Sequence, residues 1–173
     1  MTKFDELADA AIEPLRDHRA SNMVFGAASK VGDFSVAWHV LGIVLVVASR
    51  IDVSDAVALS VSLGVESLIV NQGIKRIFRR ERPTVSGDHR FEVRTPSTSS
   101  FPSGHASSAT FACIILVSFT GFPLGLAWVA VATVIALSRV VVRIHHMSDI
   151  VGGVVTGALL GTIALPILAR LVG

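Results

Sequence analysis

From residue 34 onward the chain alternates long apolar runs with short polar turns, the runs falling at roughly 34–50, 54–78, 104–120, 124–142 and 148–171. Each is close to the ~20 residues an α-helix needs to cross hydrocarbon. The pattern predicts an all-α membrane protein, a compact transmembrane helix bundle of five spans. A six-span alternative sends residues 18–33 into the membrane, but His18 and Arg19 at one end and Lys30 and Asp33 at the other leave too short an apolar centre. Ahead of the runs, residues 3–17 place Phe4, Leu7, Ala8, Ala11, Ile12 and Leu15 at helical spacing, with Asp5, Glu6, Asp9, Glu13 and Asp17 on the opposite face. This predicts an N-terminal amphipathic helix lying along the headgroup boundary or against the protein's own body. Its net acidity argues against attraction to anionic lipid. Residues 18–33 read as a second, weaker interfacial segment. The expected organisation is a single domain over residues 1–173, with 1–33 as an interfacial segment and 34–173 as a transmembrane catalytic core.

Composition sharpens this picture. Of the 173 residues 51% are hydrophobic and 16% charged, with mean hydropathy +0.67, which excludes an ordinary soluble domain and leaves no room for a separate soluble module. The first 33 residues hold no apolar stretch long enough for a signal peptide, so insertion is expected through the first span. The single cysteine, Cys113, sits in the apolar run Phe111 to Val117 and reads as a small core hydrophobe, with no intramolecular disulfide available. The sequence GVVTGALLG at 153–161 supplies small residues that let helix backbones approach closely.

The net charge of +2 hides an asymmetry, because seven of the fifteen Lys and Arg residues fall between Lys75 and Arg94. A basic stretch between two membrane helices points away from nucleic acid and toward a phosphate-bearing lipid headgroup. With five spans, the N-terminus, the 79–103 loop and the 143–147 turn share one face. That face holds thirteen of the fifteen cations, leaving only Arg50 and Arg170 opposite. By the positive-inside rule it is cytoplasmic.

Three clusters of unusual residues converge on the same face: KRIFRRERP at 75–83, FPSGH at 101–105 and SRVVVRIHHMSD at 138–149. Pro102, Ser103, Gly104 and His105 open the third span, where backbone N–H groups and the positive helix end favour an anion. Lys75, Arg82 and Arg139 are three cations able to clamp a phosphate, the arginines through two oxygens at once. His145 and Asp149 lie four residues apart, so on a helical segment the carboxylate can hold Nδ1–H and leave Nε2 free as a nucleophile. His105 is then available as general acid and, later, as the base that activates water. The nearby carboxylates Glu81, Asp88, Glu92 and Asp149 form no close ligand cluster in the sequence, so no metal or other cofactor is expected. Arg76, Arg79 and Arg80 read as membrane-face anchors. His146 reads as a neighbour of the nucleophile without an essential role, and His18, His39 and His89 as structural or solvated. Glu66, Asn71 and Gln72, costly in lipid, are expected to face the bundle interior, with structural use favoured over substrate contact.

Lys75 with Arg82 and Pro83, then Pro102-Ser103-Gly104-His105, then Ser138-Arg139 with His145 and Asp149, resembles the three-part signature of the type-2 phosphatidic acid phosphatase superfamily, with no departure at the signature positions. The resemblance implies a helical bundle in the bacterial inner membrane and a phosphohistidine intermediate at His145. It also implies that Asp149 orients that histidine, that His105 is the acid, and that Lys75, Arg82, Ser103, Gly104 and Arg139 surround the phosphate. The implied activity is hydrolysis of a lipid-borne phosphate. Small related proteins of the actinobacterial cell-wall pathway act on decaprenylphosphoryl phosphoribose, the specific expectation here. Phosphatidic acid, phosphatidylglycerol phosphate and undecaprenyl diphosphate are alternative substrates. A non-catalytic lipid-binding protein is the alternative of another class, although the nucleophile and its acid are intact. A vanadate-dependent haloperoxidase has a similar anion pocket, and the five apolar runs speak against it. Membrane lipids are the expected surroundings, and a homo-oligomer is left open.

Overall fold

The computed structural model describes residues 2–84, 91 and 97–172, so Asp88, His89, Arg90, Glu92 and Arg94 of the long loop fall outside the described residues. Among those described, seven α-helices follow in order: α1 (Lys3–Arg16), α2 (Arg19–Val31), α3 (Val36–Val47), α4 (Val53–Ile77), α5 (Gly104–Thr120), α6 (Leu124–Val141) and α7 (Met147–Val172). No strand occurs among them. Local chemistry sets several of the boundaries. Thr2 and Asp5 form a capping box at the start of α1, Asp52 and Asp55 another at the start of α4, and the Ser103 hydroxyl accepts from the Ala106 amide at the start of α5. Gly121, at φ +66°, ends α5 in a conformation that costs a residue with a side chain more.

All five expected apolar runs fold as helices. α4, α6 and α7 are long and apolar enough to cross a membrane, whereas α5, with 17 residues, is shorter. α2 and α3 meet at a 69° bend and together qualify as one broken span, which gives up to four. The bend is made at Phe34 and Ser35, both at positive φ (53° and 59°). Residues 19–31 therefore differ from the expected free-standing interfacial segment: they form one arm of an elbow that packs along α6 and buries Ala28 and Ser29.

α5 is the axial helix, packed against α4, α6 and α7. Trp38, Leu59, Leu63, Phe111, Ile115 and Leu116 build the main core around it. Its approach to α7 is very close: a Cβ on Gly153 would lie 2.5 Å from the Ser103 carbonyl oxygen, and one on Gly157 2.2 Å from that of Ser107. Only glycine fits there, and the two backbones pack directly. The outer surfaces of α3, α4, α6 and α7 carry exposed Val40, Val44, Val57, Val61, Val129 and Leu159, an apolar girdle suited to lipid.

α1 is amphipathic with its faces inverted relative to a soluble helix. Its charged side packs on the protein, with Asp5 and Arg16 buried, while Phe4, Leu7 and Leu15 are exposed. Arg16 is fully buried, and its guanidinium donates to the carbonyls of Val141 (2.9 Å) and Val140 (3.0 Å), which lie at the unsatisfied C-terminal end of α6. Asp9 and Glu13 flank the same guanidinium at 2.6 Å each.

Candidate active site

Arg143, at φ +56°, breaks the chain out of α6, and the following amides of Ile144 and His145 both bond back to the Arg139 carbonyl at 3.0 Å. This tight turn presents His145 at the mouth of the bundle while keeping it only 2% exposed. Asp149 lies in the first turn of α7, fully buried, with Oδ2 3.5 Å from His145 Nδ1. Ser100 joins the pair: its hydroxyl donates to Asp149 Oδ2 and lies 3.3 Å from His145 Nδ1. On the other edge of the ring, Arg82 Nη1 stands 3.2 Å from His145 Nε2. A guanidinium can only donate, so Nε2 carries the lone pair and the ring proton sits on Nδ1, facing Asp149 and Ser100. This is the tautomer a nitrogen nucleophile needs. Burial pushes the His145 pKa down to about 3, opposed by the hydrogen bond with Asp149 and reinforced by the fields of Arg82 and Arg139. Arg82 itself is lowered by burial, with Asp149 acting against the shift.

Asp149 has three further donors: the His146 amide to Oδ2 at 2.8 Å, Arg80 Nη1 to Oδ1 at 2.6 Å, and Ser100 as above. Arg80 is thus no membrane-face anchor, and it also pairs with Asp5 at 2.6 Å. His146 Nδ1 lies 3.4 Å from the same carboxylate.

A cavity of about 360 Å³ opens between the α2–α3 elbow, α4 and the start of α5, and Lys75, Gly104, His105 and His145 all line it. Lys75 and Asn71 reach Gly104 because it has no side chain: a Cβ there would sit 3.4 Å from Lys75 Nζ and 3.1 Å from Asn71 Oδ1. Asn71 donates its amide to Ser67 at 3.0 Å, which turns its oxygen toward the cavity mouth. The Ile69–Ile74 stretch of α4 is π-helical, the kind of local widening that recurs at functional sites and here immediately precedes Lys75. Ser103 is fully buried and its hydroxyl caps α5, while Gly104 forms the cavity wall.

Arg139 is 1% exposed; Nη1 donates to the Ser29 hydroxyl, and Nε and Nη2 are buried with no partner among the described residues. Two unsatisfied guanidinium donors in a buried setting are costly and well suited to an anion. His105 Nε2 lies 3.2 Å from Asp33 Oδ1 and 3.2 Å from the Ser29 carbonyl. The elbow therefore holds both Arg139 and His105. The structure gathers Lys75, Gly104, His105 and His145 around one cavity, keeps Arg82 and Asp149 in contact with His145, and sets Ser103 and Arg139 just behind. Sequence reasoning missed Ser29, Asp33, Ser100 and the role of Arg80. Of these, only Arg80, inside a charged run, carried any signal.

Buried cations gathered beside an oriented imidazole, on a helical bundle with an apolar girdle, define a class of membrane protein. The chain belongs to the PAP2 superfamily, whose family model matches residues 55–172. Among curated proteins, the chain is 43% identical over 93 residues to the decaprenylphosphoryl-5-phosphoribose phosphatase of Mycobacterium tuberculosis, covering 52% of this chain and 49% of that protein. To the protein of the same name from Mycolicibacterium smegmatis it is 45% identical over 80 residues, covering 46% and 42%. The chain thus matches about half the length of these curated relatives. The fold is similar to two solved structures. One is a transmembrane PAP2-type phosphatidylglycerolphosphate phosphatase from Bacillus subtilis, with TM-score 0.70, 23% identity and coverage of 98% and 88%. The other is Aquifex aeolicus LpxE, with TM-score 0.70, 19% identity and coverage of 91% and 93%.

Proposed function

We propose that the chain is a multi-pass phosphatase of the bacterial inner membrane that removes the terminal phosphate from a polyprenyl-phosphoryl phosphosugar of the decaprenylphosphoryl-5-phosphoribose type. In this reading His145 Nε2 attacks phosphorus, forming a P–N bond as the P–O bond to the sugar breaks. His105 protonates the leaving oxygen. Water then attacks the phosphohistidine, giving its proton to His105, and inorganic phosphate leaves. Lys75, Arg82 and Arg139, with the Ser103–Gly104 backbone, offset the charge that develops on the phosphoryl oxygens. These side chains complete the chemistry without a metal ion. The observation that carries the reading is the His145 ring, with Nδ1 toward Asp149 and Nε2 toward Arg82.

The surroundings of the cavity favour a sugar-bearing substrate. Glu66 and Asn71 line it beside Lys75, and both present acceptor oxygens, which suit hydroxyl groups and repel phosphate. An adjoining cleft of about 670 Å³ shares Lys75 with the cavity and adds Arg76 and Arg79. Those cations match the second phosphate that links sugar to prenyl chain. Five spans, with α1 at the interface and the site on the cytoplasmic face, fit the charge distribution. Phosphate release by detergent-purified protein in excess EDTA, from polyprenyl-phosphoryl phosphoribose, phosphatidylglycerol phosphate, phosphatidic acid and polyprenyl diphosphate, tests the proposal. Preferred turnover of the first, lost in His145→Ala, is expected. Release that survives His145→Ala or needs added metal would overturn the mechanism, and preference for another lipid would overturn the substrate.

A further inference from the structure

We propose that Asp5, on the N-terminal helix α1, is a positioning residue for the reaction: through Arg80 it fixes the carboxylate of Asp149 against His145. The inference rests on the reading of His145 as nucleophile and Asp149 as its orienting acid. Asp5 lies outside residues 55–172, the part matched by the family model, whereas Arg80 and Asp149 lie within it.

Arg80 spans two carboxylates. Nη1 donates to Asp149 Oδ1 at 2.6 Å and to the Ser148 hydroxyl at 2.7 Å, while Nη2 donates to Asp5 Oδ2 at 2.6 Å. Asp5 Oδ1 in turn accepts the Ser148 amide at 2.9 Å. Asp5 therefore grips both the guanidinium and the first turn of α7, the turn that carries Asp149. Burial alone would raise the Asp5 pKa, but hydrogen bonds from Ser148 and Thr2 hold it well below the usual carboxylate range, so it stays charged.

The geometry has a directional effect. With Oδ1 of Asp149 occupied by Arg80, only Oδ2 is left to face the imidazole, where Ser100 and the His146 amide also hold it. Arg80 comes from the extended chain just after α4 and is partly exposed. Without Asp5 its second amino group has no fixed partner, and the fork can rotate off Asp149. A carboxylate left free to turn holds the imidazole tautomer less well. Arg16 prevents α1 from drifting, because its bonds to the Val140 and Val141 carbonyls tie the far end of the helix to the end of α6, just before the turn that presents His145. The helix thus splints both ends of the 140–149 segment.

The test compares wild type with Asp5→Asn, Arg80→Gln and Arg80→Lys, each purified in detergent. Turnover of polyprenyl-phosphoryl phosphoribose and of dioctanoyl phosphatidic acid is measured alongside the ¹⁵N shifts of the histidine rings. The expected result for Asp5→Asn is a fall in kcat of roughly tenfold at unchanged KM, with His145 moving from the Nδ1–H tautomer to a mixture. Arg80→Gln falls at least as far, and Arg80→Lys recovers part of the loss. If Asp5→Asn keeps both the wild-type kcat and the wild-type His145 tautomer, the proposal is wrong and α1 is only a packing element. If wild type turns over neither lipid, the phosphatase reading fails, and the tautomer comparison still decides whether Asp5 orients the ring.

Discussion

Arg82 Nη1 and His145 Nε2 face each other at 3.2 Å across the mouth of the bundle. Arg82 also donates to the carbonyls of Thr98, Ser99 and Ile144, so the loop that precedes α5 and the turn that precedes α7 are held by one side chain. In the proposed mechanism a phosphoryl group reaching Nε2 would meet this guanidinium at the same moment. Arg82→Lys keeps the charge and loses the planar fork, and should lower kcat/KM by about 10²-fold, as expected for removal of one preorganised donor from a developing anion. Steady-state kinetics on the preferred lipid checks this, and a change under threefold would argue that Arg82 serves the loop alone.

Ser100 bridges the carboxylate and the ring it orients. Replacing it with alanine takes away a donor to Asp149 and a neighbour of Nδ1 while leaving every charge in place. The expected outcome is a kcat reduced about tenfold, ~1.4 kcal/mol in the barrier, with KM little altered. A rise in KM at constant kcat would instead mark Ser100 as a substrate contact.

The depressed pKa of His145 has two consequences for pH dependence. In the proposed mechanism the ring acts as a neutral nucleophile, and it gains a proton only as pH falls toward about 3, so its acidic limb in kcat/KM is expected far below the ordinary histidine value of 6.5. For stability the unfolded chain takes up this proton near 6.5 and the folded chain only near 3. The contribution is complete above 6.5 and declines as the medium is acidified through that interval. Asp5, also lowered, works in the same direction. Thermal midpoints in detergent between pH 4 and 8 should fall on the acid side, and His145→Asn should flatten part of that slope. An equal slope in the variant would remove His145 as its source.

Gly157→Ala places a methyl group where the Ser107 carbonyl already stands, 2.2 Å from the new Cβ. Both partners are helix backbone, so relief requires α5 and α7 to separate. A loss of about 1–3 kcal/mol is expected, read as a lower thermal midpoint. Because the separation also pulls Asp149 away from the start of α5, activity should fall even below the new midpoint.

How the site could be read from sequence depended on spacing within helices. Lys75, Gly104, His105, Arg139, His145 and Asp149 sit at or beside helix ends, where spacing in the chain translates directly into spacing in the fold. Ser29 and Asp33 reach His105 and Arg139 only because Phe34 and Ser35 take positive φ, a choice that nothing in two non-glycine residues announces. The periodicity of residues 3–17 gave two faces but not which one would pack, since burying Arg16 depends on the carbonyl ends of α6. Composition could not separate Arg80 from Arg76 and Arg79 either. The departure of the chain from α4 after Ile77 decides which of the three points inward.

Gly153, Gly157 and Gly161 recur every fourth residue along α7, each pressed on α5. This stripe fuses α5, whose first turn lines the cavity, to the helix that carries Asp149, so those two parts behave as one casting. The cavity side chains free of that seam lie elsewhere, on the α2–α3 elbow and on α4. Under the function proposed above, substrate preference would be retuned on that wall and not at the α5–α7 seam.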